Sequence, residues 1–342
     1  MKKAWKKILK LLFVVLVFGL TGWAVFQGQD LQQVIAFIGT ADPKYIIPCL
    51  VCVLGFVLGE SVIIYYLVRI LGSRVLLSHC CLYSFIGFFY CCITPSASGG
   101  QPMQIVAMRK DGIPVAVSTV VLAIVTILYK LVLVLIGIAV VTIRPARLMA
   151  CLEGVEPAIY IGLGINVVCI AALLLLVFCP GIVRAVSHWS FYLLRRIRPS
   201  LSADAQAQRL ERILSQYAGA ADFYKHHKLP LFYAFWLTLL QRIFLMFITW
   251  FTYKAFGLSG ESLWVILTLQ AIINLAADMF PAPGGTGLNE ALFLTVFRPV
   301  FGAALVLPGM VISRGIGYYS QLLICGIMTA LAALIIKKPR EQ

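Results

Sequence analysis

Thr94-Pro95-Ser96-Ala97-Ser98-Gly99-Gly100-Gln101-Pro102 interrupts an otherwise almost continuously apolar chain. An apolar run, residues 75–93, leads in. A shorter run leads out and closes on Arg109-Lys110-Asp111. Two prolines, two glycines and three small hydroxyl residues cannot continue a helix. Each proline removes a backbone donor, and Gly-Gly opens backbone angles that other residues avoid. The pattern returns downstream: residues 263–280 are apolar, then come Pro281-Ala282-Pro283-Gly284-Gly285-Thr286-Gly287 and a short segment carrying Asn289 and Glu290.

The 342 residues are 61% hydrophobic and only 12% charged, more apolar surface than a soluble core needs, and several runs exceed the ~20 residues that span a bilayer. The composition therefore predicts an all-α polytopic membrane protein. The net charge of +15 sits beside apolar spans, so anionic lipid headgroups, not nucleic acid, are its expected partners. Cys49-x-x-Cys52, Cys80-Cys81 and Cys91-Cys92 lie in apolar runs without the histidines or charges of a metal site, and read as small hydrophobic filler. No metal or cofactor is expected.

Five lysines, Lys2, Lys3, Lys6, Lys7 and Lys10, stand at the start of a first span at residues 8–26, longer than a signal-peptide core and so read as uncleaved. Residues 27–44 are polar. Further spans follow at 45–71, 114–143, 158–178, 230–256 and 302–336, making about six, with broken hairpins at 75–110 and 263–297. Residues 144–157 read as a loop. The polar stretch 181–229 reads as an interfacial helix rich in arginine and aromatics. After Ser202 comes an amphipathic helix on which Leu210, Ile213, Leu214, Tyr217, Ala221 and Tyr224 recur at helical spacing.

With both termini cytoplasmic and each hairpin returning to its own side, twenty of the 28 Lys and Arg are cytoplasmic, as the positive-inside rule requires. The chain is then one membrane domain, 1–342. Residues 1–44 enter it; 45–143 and 230–336 form two repeats around oppositely oriented re-entrant hairpins; 158–178 links them. Inverted repeats with broken helices meeting near the midplane are a transporter pattern. Reading 75–93 as a full span would force residues 102–108 to return across the bilayer in about ten residues, too few at ~1.5 Å each.

Six ionisable residues lie inside apolar spans or hairpins: Glu60, Lys130, Arg242, Asp278, Glu290 and Arg314. A charge at membrane depth costs ~2.5–3.5 kcal/mol or more, so each needs a partner or water, and three acids with three bases point to internal pairing. Structural pairing and substrate or proton handling both remain open for them. Arg109 and Lys110 read equally as surface-snorkelling bases or as a phosphate contact. A helix restarting after Gly-Gly exposes free N–H groups and its positive dipole end, which favours an anion such as a lipid phosphate. Ser96, Ser98, Gln101 and Thr286 add donors there. His79, His188, His226 and His227 read as interfacial, and no nucleophile–base spacing or phosphate-binding loop is present.

Residues 94–104 with Met108-Arg109-Lys110-Asp111-Gly112, and residues 281–287 with Glu290, resemble the membrane region of bacterial lysylphosphatidylglycerol synthases, in order and spacing across nearly the whole chain. The resemblance implies a bacterial cytoplasmic membrane location and a flippase-like translocation of anionic or aminoacylated phospholipid. A lipid-modifying enzyme or a second copy of the chain is the implied partner. In that family a separate cytosolic domain transfers lysine from lysyl-tRNA to the lipid, supporting resistance to cationic peptides. The present sequence ends at Gln342, so the transferase half is not expected in it. Phosphatidylglycerol lysyltransferase activity and ion-coupled transport of a small anion or polyprenyl phosphate are the alternatives. The residues expected along the substrate path are Glu60, Ser96, Ser98, Gly99, Gly100, Gln101, Arg109, Lys130, Arg242, Asp278, Pro281, Gly284, Gly285, Thr286, Glu290 and Arg314. No catalytic residue is expected.

The topology is testable by labelling single cysteines in a cysteine-free background. Ala205→Cys and Arg340→Cys should react with an impermeant reagent only from the cytoplasm, and Met149→Cys only from outside. Labelling of residue 205 in intact cells would overturn the orientation.

Overall fold

The computed structural model describes residues 31–179, 181–185 and 203–335. The first span at 8–26 and the arginine-rich interfacial stretch lie outside these residues, apart from positions 181–185. All regular structure among the described residues is helical.

The chain opens with α1 (Leu31–Gly39) and a 3-10 turn, Pro43–Tyr45, started by Asp42, whose side chain accepts from the Lys44 amide at 3.1 Å. Then follow α2 (Ile46–Ile70), α3 (Leu77–Ile93), α4 (Gly100–Lys110), α5 (Val115–Ile143), α6 (Ala146–Leu152) and α7 (Glu156–Phe178). The second half holds α8 (Ala203–His226), α9 (Leu229–Ala255), α10 (Leu263–Ala277), α11 (Leu288–Val296), α12 (Val306–Arg314) and α13 (Gln321–Ile335). Five helical stretches are long and apolar enough to cross a membrane: Pro43–Ile70, Val115–Ile143, Glu156–Phe178, Leu229–Ala255 and Val306–Ala332. They correspond to the second to sixth expected spans. The exposed side of α2 is a stripe of Ile47, Leu50, Val51, Leu54, Leu58 and Val62, as a lipid-facing helix requires.

The hairpin helices are shorter. At 1.5 Å per residue, the 17 residues of α3 reach about 25 Å and the 15 of α10 about 22 Å, less than the ~30 Å hydrocarbon core. Helix–helix contacts repeat between the halves. α2 packs on α9; α2–α3, α3–α4, α4–α5 and α2–α5 are matched by α9–α10, α10–α11, α11–α12 and α9–α12; α3 packs on α13 as α10 packs on α5. The α2–α9 contact is close because Gly55 faces the Phe244 ring and Gly59 faces Gln241, the spacing of a small-xxx-small seam.

Three local expectations change. Residues 144–157 are not all loop: α6 forms there and buries Leu148, Cys151 and Leu152 against the second hairpin, because its apolar side chains have a core to enter. The last span is not one regular helix. A π-helical turn, Gly315–Ser320, separates α12 from α13 directly after Arg314. At the first break the glycines are not the residues with unusual angles. Ser96 and Ala97 have φ of +50° and +53°, whereas Gly99 is right-handed at −84°. Gly100 is required by space: a Cβ there would overlap Cys91 and the Gly87 carbonyl. At the second break Gly284, Gly285 and Gly287 do take positive φ. The amphipathic α8 docks on the bundle. Tyr217 donates to the Leu176 carbonyl at 2.9 Å and Tyr224 to that of Leu67 at 2.8 Å.

Gly284 combines φ of +61° with the Tyr318 ring where a Cβ would stand. Gly284→Ala should therefore lower stability by about 2–5 kcal/mol, the left-handed penalty plus overpacking. Gly164→Ala, with open space around its Cβ, should not. Thermal unfolding in detergent compares the two.

Candidate functional site

The two breaks touch. Pro95 and Pro283 form an isolated antiparallel bridge, and the Ser96 hydroxyl donates to the Phe280 carbonyl at 3.3 Å. From the π-helical turn, Tyr318 donates to the Cys92 carbonyl at 2.7 Å while its ring packs on Gly284. Arg314 reaches the Gly284 carbonyl at 3.2 Å. The closed end of each hairpin is thus held by the other hairpin or by the last span.

A cavity of about 220 Å³ lies at this junction. Ser96 and Ala97 of the first break and Asp278, Ala282, Gly284 and Gly285 of the second line it, facing Arg242 on α9 and Arg314 on α12. A polar seam crosses its wall: Thr249 donates to Gln270 at 2.7 Å and lies 3.1 Å from the Ser313 hydroxyl, and Gln270 donates to Asn274 at 3.0 Å. Sequence reasoning missed this seam and Asn166, because isolated neutral polar residues in apolar runs carry little signal.

Charges are paired selectively. Lys130 forms an ion pair with Asp278 and also donates to Asn166 at 2.9 Å; Tyr129 donates to the same carboxylate at 3.1 Å. Arg314 pairs with Glu290 at 2.8 Å, and the other Glu290 oxygen accepts the Gly287 amide at 2.6 Å, capping α11. Both pairs join an acid of the second hairpin to a base on a full span. Glu60 instead accepts from Gln104 at 2.7 Å. Arg242 makes no ion pair or hydrogen bond among the described residues, and its buried Nε has no partner. It lies 4.3 Å from the centroid of the Tyr129 ring and 5.1 Å from that of Phe56.

The remaining expected path residues are elsewhere or occupied. Gln101 donates to Thr126, and Thr286 to the Pro283 carbonyl. The Gly99 amide is held by Thr94 at 2.9 Å, so the restart of α4 offers fewer free donors than a bare helix end. Ser98 and Pro281 are exposed and do not line the cavity, nor do Gly99 and Gly100. Arg109 is exposed in the last turn of α4, away from the cavity. His79, read as interfacial, contacts Asp111 at 2.8 Å, and Tyr83 donates to the same carboxylate. A second cavity opens beside them between Arg69 and Arg74.

A family model described as the lysylphosphatidylglycerol synthase TM region matches residues 7–325 of the 342. No curated protein sequence matches the chain.

The Lys130–Asp278 pair yields a mutant-cycle prediction. Removing one partner leaves a buried charge alone, so Lys130→Met or Asp278→Asn should each cost about 3–5 kcal/mol. The double variant Lys130→Met/Asp278→Asn should recover much of that loss, measured by thermal unfolding.

Proposed function

We propose that this chain, which belongs to the lysylphosphatidylglycerol synthase TM region family, passes phospholipid headgroups between the two leaflets of its membrane. The chain is a multi-pass membrane protein of a family concerned with lysylphosphatidylglycerol, and that match is common to flippase and synthase readings. The observation that favours translocation is the junction of the two breaks around a cavity that Arg242, Asp278 and Arg314 line, in an apolar-surfaced bundle. The cavity falls short of the ~300–1,000 Å³ that encloses a whole drug-sized ligand, so it suits a headgroup whose acyl chains stay in lipid.

In this reading residues 45–143 and 230–336 are repeats of opposite orientation. The first hairpin enters from the cytoplasm and the second from outside, so their closed ends meet at depth. The matched contacts of the two halves support it, as does the bridge between the two breaks at Pro95 and Pro283. The location is the bacterial cytoplasmic membrane, with both termini inside.

Reconstitution in liposomes with fluorescent phosphatidylglycerol, lysylphosphatidylglycerol and phosphatidylcholine tests translocation. Glu290→Gln keeps an acceptor for the Gly287 amide but removes the charge facing Arg314. It and Arg314→Gln should slow lipid movement at least about tenfold, equivalent to ~1.4 kcal/mol, while folded protein remains in the membrane. Unchanged movement in both would remove this pair from the path.

A further inference from the structure

We infer that Arg242 is the receptor for a lipid phosphodiester and that the cavity selects anionic headgroups over lysylated, net cationic ones; this rests on the translocation reading above.

The argument begins with the charges at the junction. Lys130 and Arg314 are each committed to an acid, Asp278 and Glu290. Those acids are equally committed, so neither offers a free carboxylate to a lysyl amine. The third buried acid, Glu60, is held by Gln104 and does not line the cavity. It attracts Arg242 from a distance, as Asp278 does, but pairs with it no more than Asp278 does. The cation left over is Arg242. It borders the cavity without an ion pair or hydrogen bond among the described residues, and its Nε is shut away from water with no acceptor.

An arginine so placed is costly unless a counter-charge visits it. The rings of Tyr129 and Phe56 lie close to the guanidinium. Aromatic faces offset part of the desolvation of a cation but supply no acceptor for its N–H groups. A guanidinium matches two phosphate oxygens at once, which an ammonium does not. Neutral donors stand on the same cavity wall, at Asn274 and Asn289, where the rest of a glycerol-type headgroup would lie. A lysylated headgroup brings a net positive charge to a cavity whose only uncommitted charge is already positive.

The test uses the full chain, wild type, Arg242→Gln and Arg242→Lys, in liposomes carrying the three fluorescent lipids. Wild type should move phosphatidylglycerol about tenfold or more faster than its lysylated form. Arg242→Gln should lose that preference and most of the movement, and Arg242→Lys should retain an intermediate rate. A second arm measures thermal unfolding in detergent. Dihexanoyl phosphatidylglycerol should raise the wild-type midpoint and leave Arg242→Gln unmoved, and inorganic phosphate at equal concentration should raise neither. Because the variant removes an unpartnered buried charge, its own midpoint should stay within a few degrees of wild type.

Equal or faster movement of the lysylated lipid would overturn the selectivity, and wild-type rates in Arg242→Gln would overturn the receptor assignment. A shift with inorganic phosphate alone would overturn the lipid as the source of the phosphate. A large fall in the midpoint of Arg242→Gln with lipid preference intact would reduce Arg242 to a packing residue and overturn the proposal. If wild type moves no lipid, the translocation reading fails, and the unfolding arm alone then decides whether Arg242 receives the headgroup.

Discussion

A hydrocarbon core supplies no hydrogen bonds, so any backbone that leaves helix within it must find partners in the protein. The two Pro/Gly breaks, which interrupt apolar runs, brace each other. Ser96 of the first supplies a donor to the Phe280 carbonyl of the second, Tyr318 reaches the end of α3, and Arg314 reaches Gly284. The glycines at 284, 285 and 287, the left-handed Ser96 and Ala97, and the π-helical turn that delivers Tyr318 all serve one junction. The cavity is the space those partners leave unfilled.

The same constraint sorts the charges. A base and an acid that meet can remain at depth because each removes the other's need for water, and Lys130–Asp278 and Arg314–Glu290 are such cases. Each also satisfies a further polar group, Asn166 in the first pair and the Gly287 amide in the second. These four side chains are therefore structural whatever else they do. That is why the unpaired Arg242 stands apart from them.

Much of the frame was legible in the sequence. Apolar runs of span length and proline-glycine clusters are signals that neighbours in space cannot erase, and they placed five described spans and both breaks. Ionisable residues in apolar runs are equally conspicuous, so Lys130, Arg242, Asp278, Glu290 and Arg314 could be picked out. Their pairings could not, because which base meets which acid depends on helix rotation and crossing. An equal count of acids and bases pointed to full pairing, but Glu60 and Arg242 do not meet. Tyr318 was invisible for a related reason: one tyrosine in an apolar span looks like core or lipid contact until its hydroxyl is seen on Cys92. The seven residues of α6 are too few to show a helical period, and only burial against the second hairpin explains them.

Although helix contacts match across the two halves, the two breaks are not held alike. The second carries both ion pairs: Asp278 ends α10 and ties it to α5, and Glu290 opens α11 and ties it to α12. The first is held by hydrogen bonds in which at most one partner is charged: Ser96 to Phe280, Tyr318 to Cys92, Gln101 to Thr126 and Gln104 to Glu60. Neutral hydrogen bonds contribute about 1 kcal/mol each, whereas parting a buried ion pair leaves charges exposed to hydrocarbon. Motion that opens the junction therefore costs least at the first hairpin. Residues 94–102, with positive φ at Ser96 and Ala97, are the more weakly tied side of the cavity, and the second hairpin with its two paired acids is the more firmly tied one.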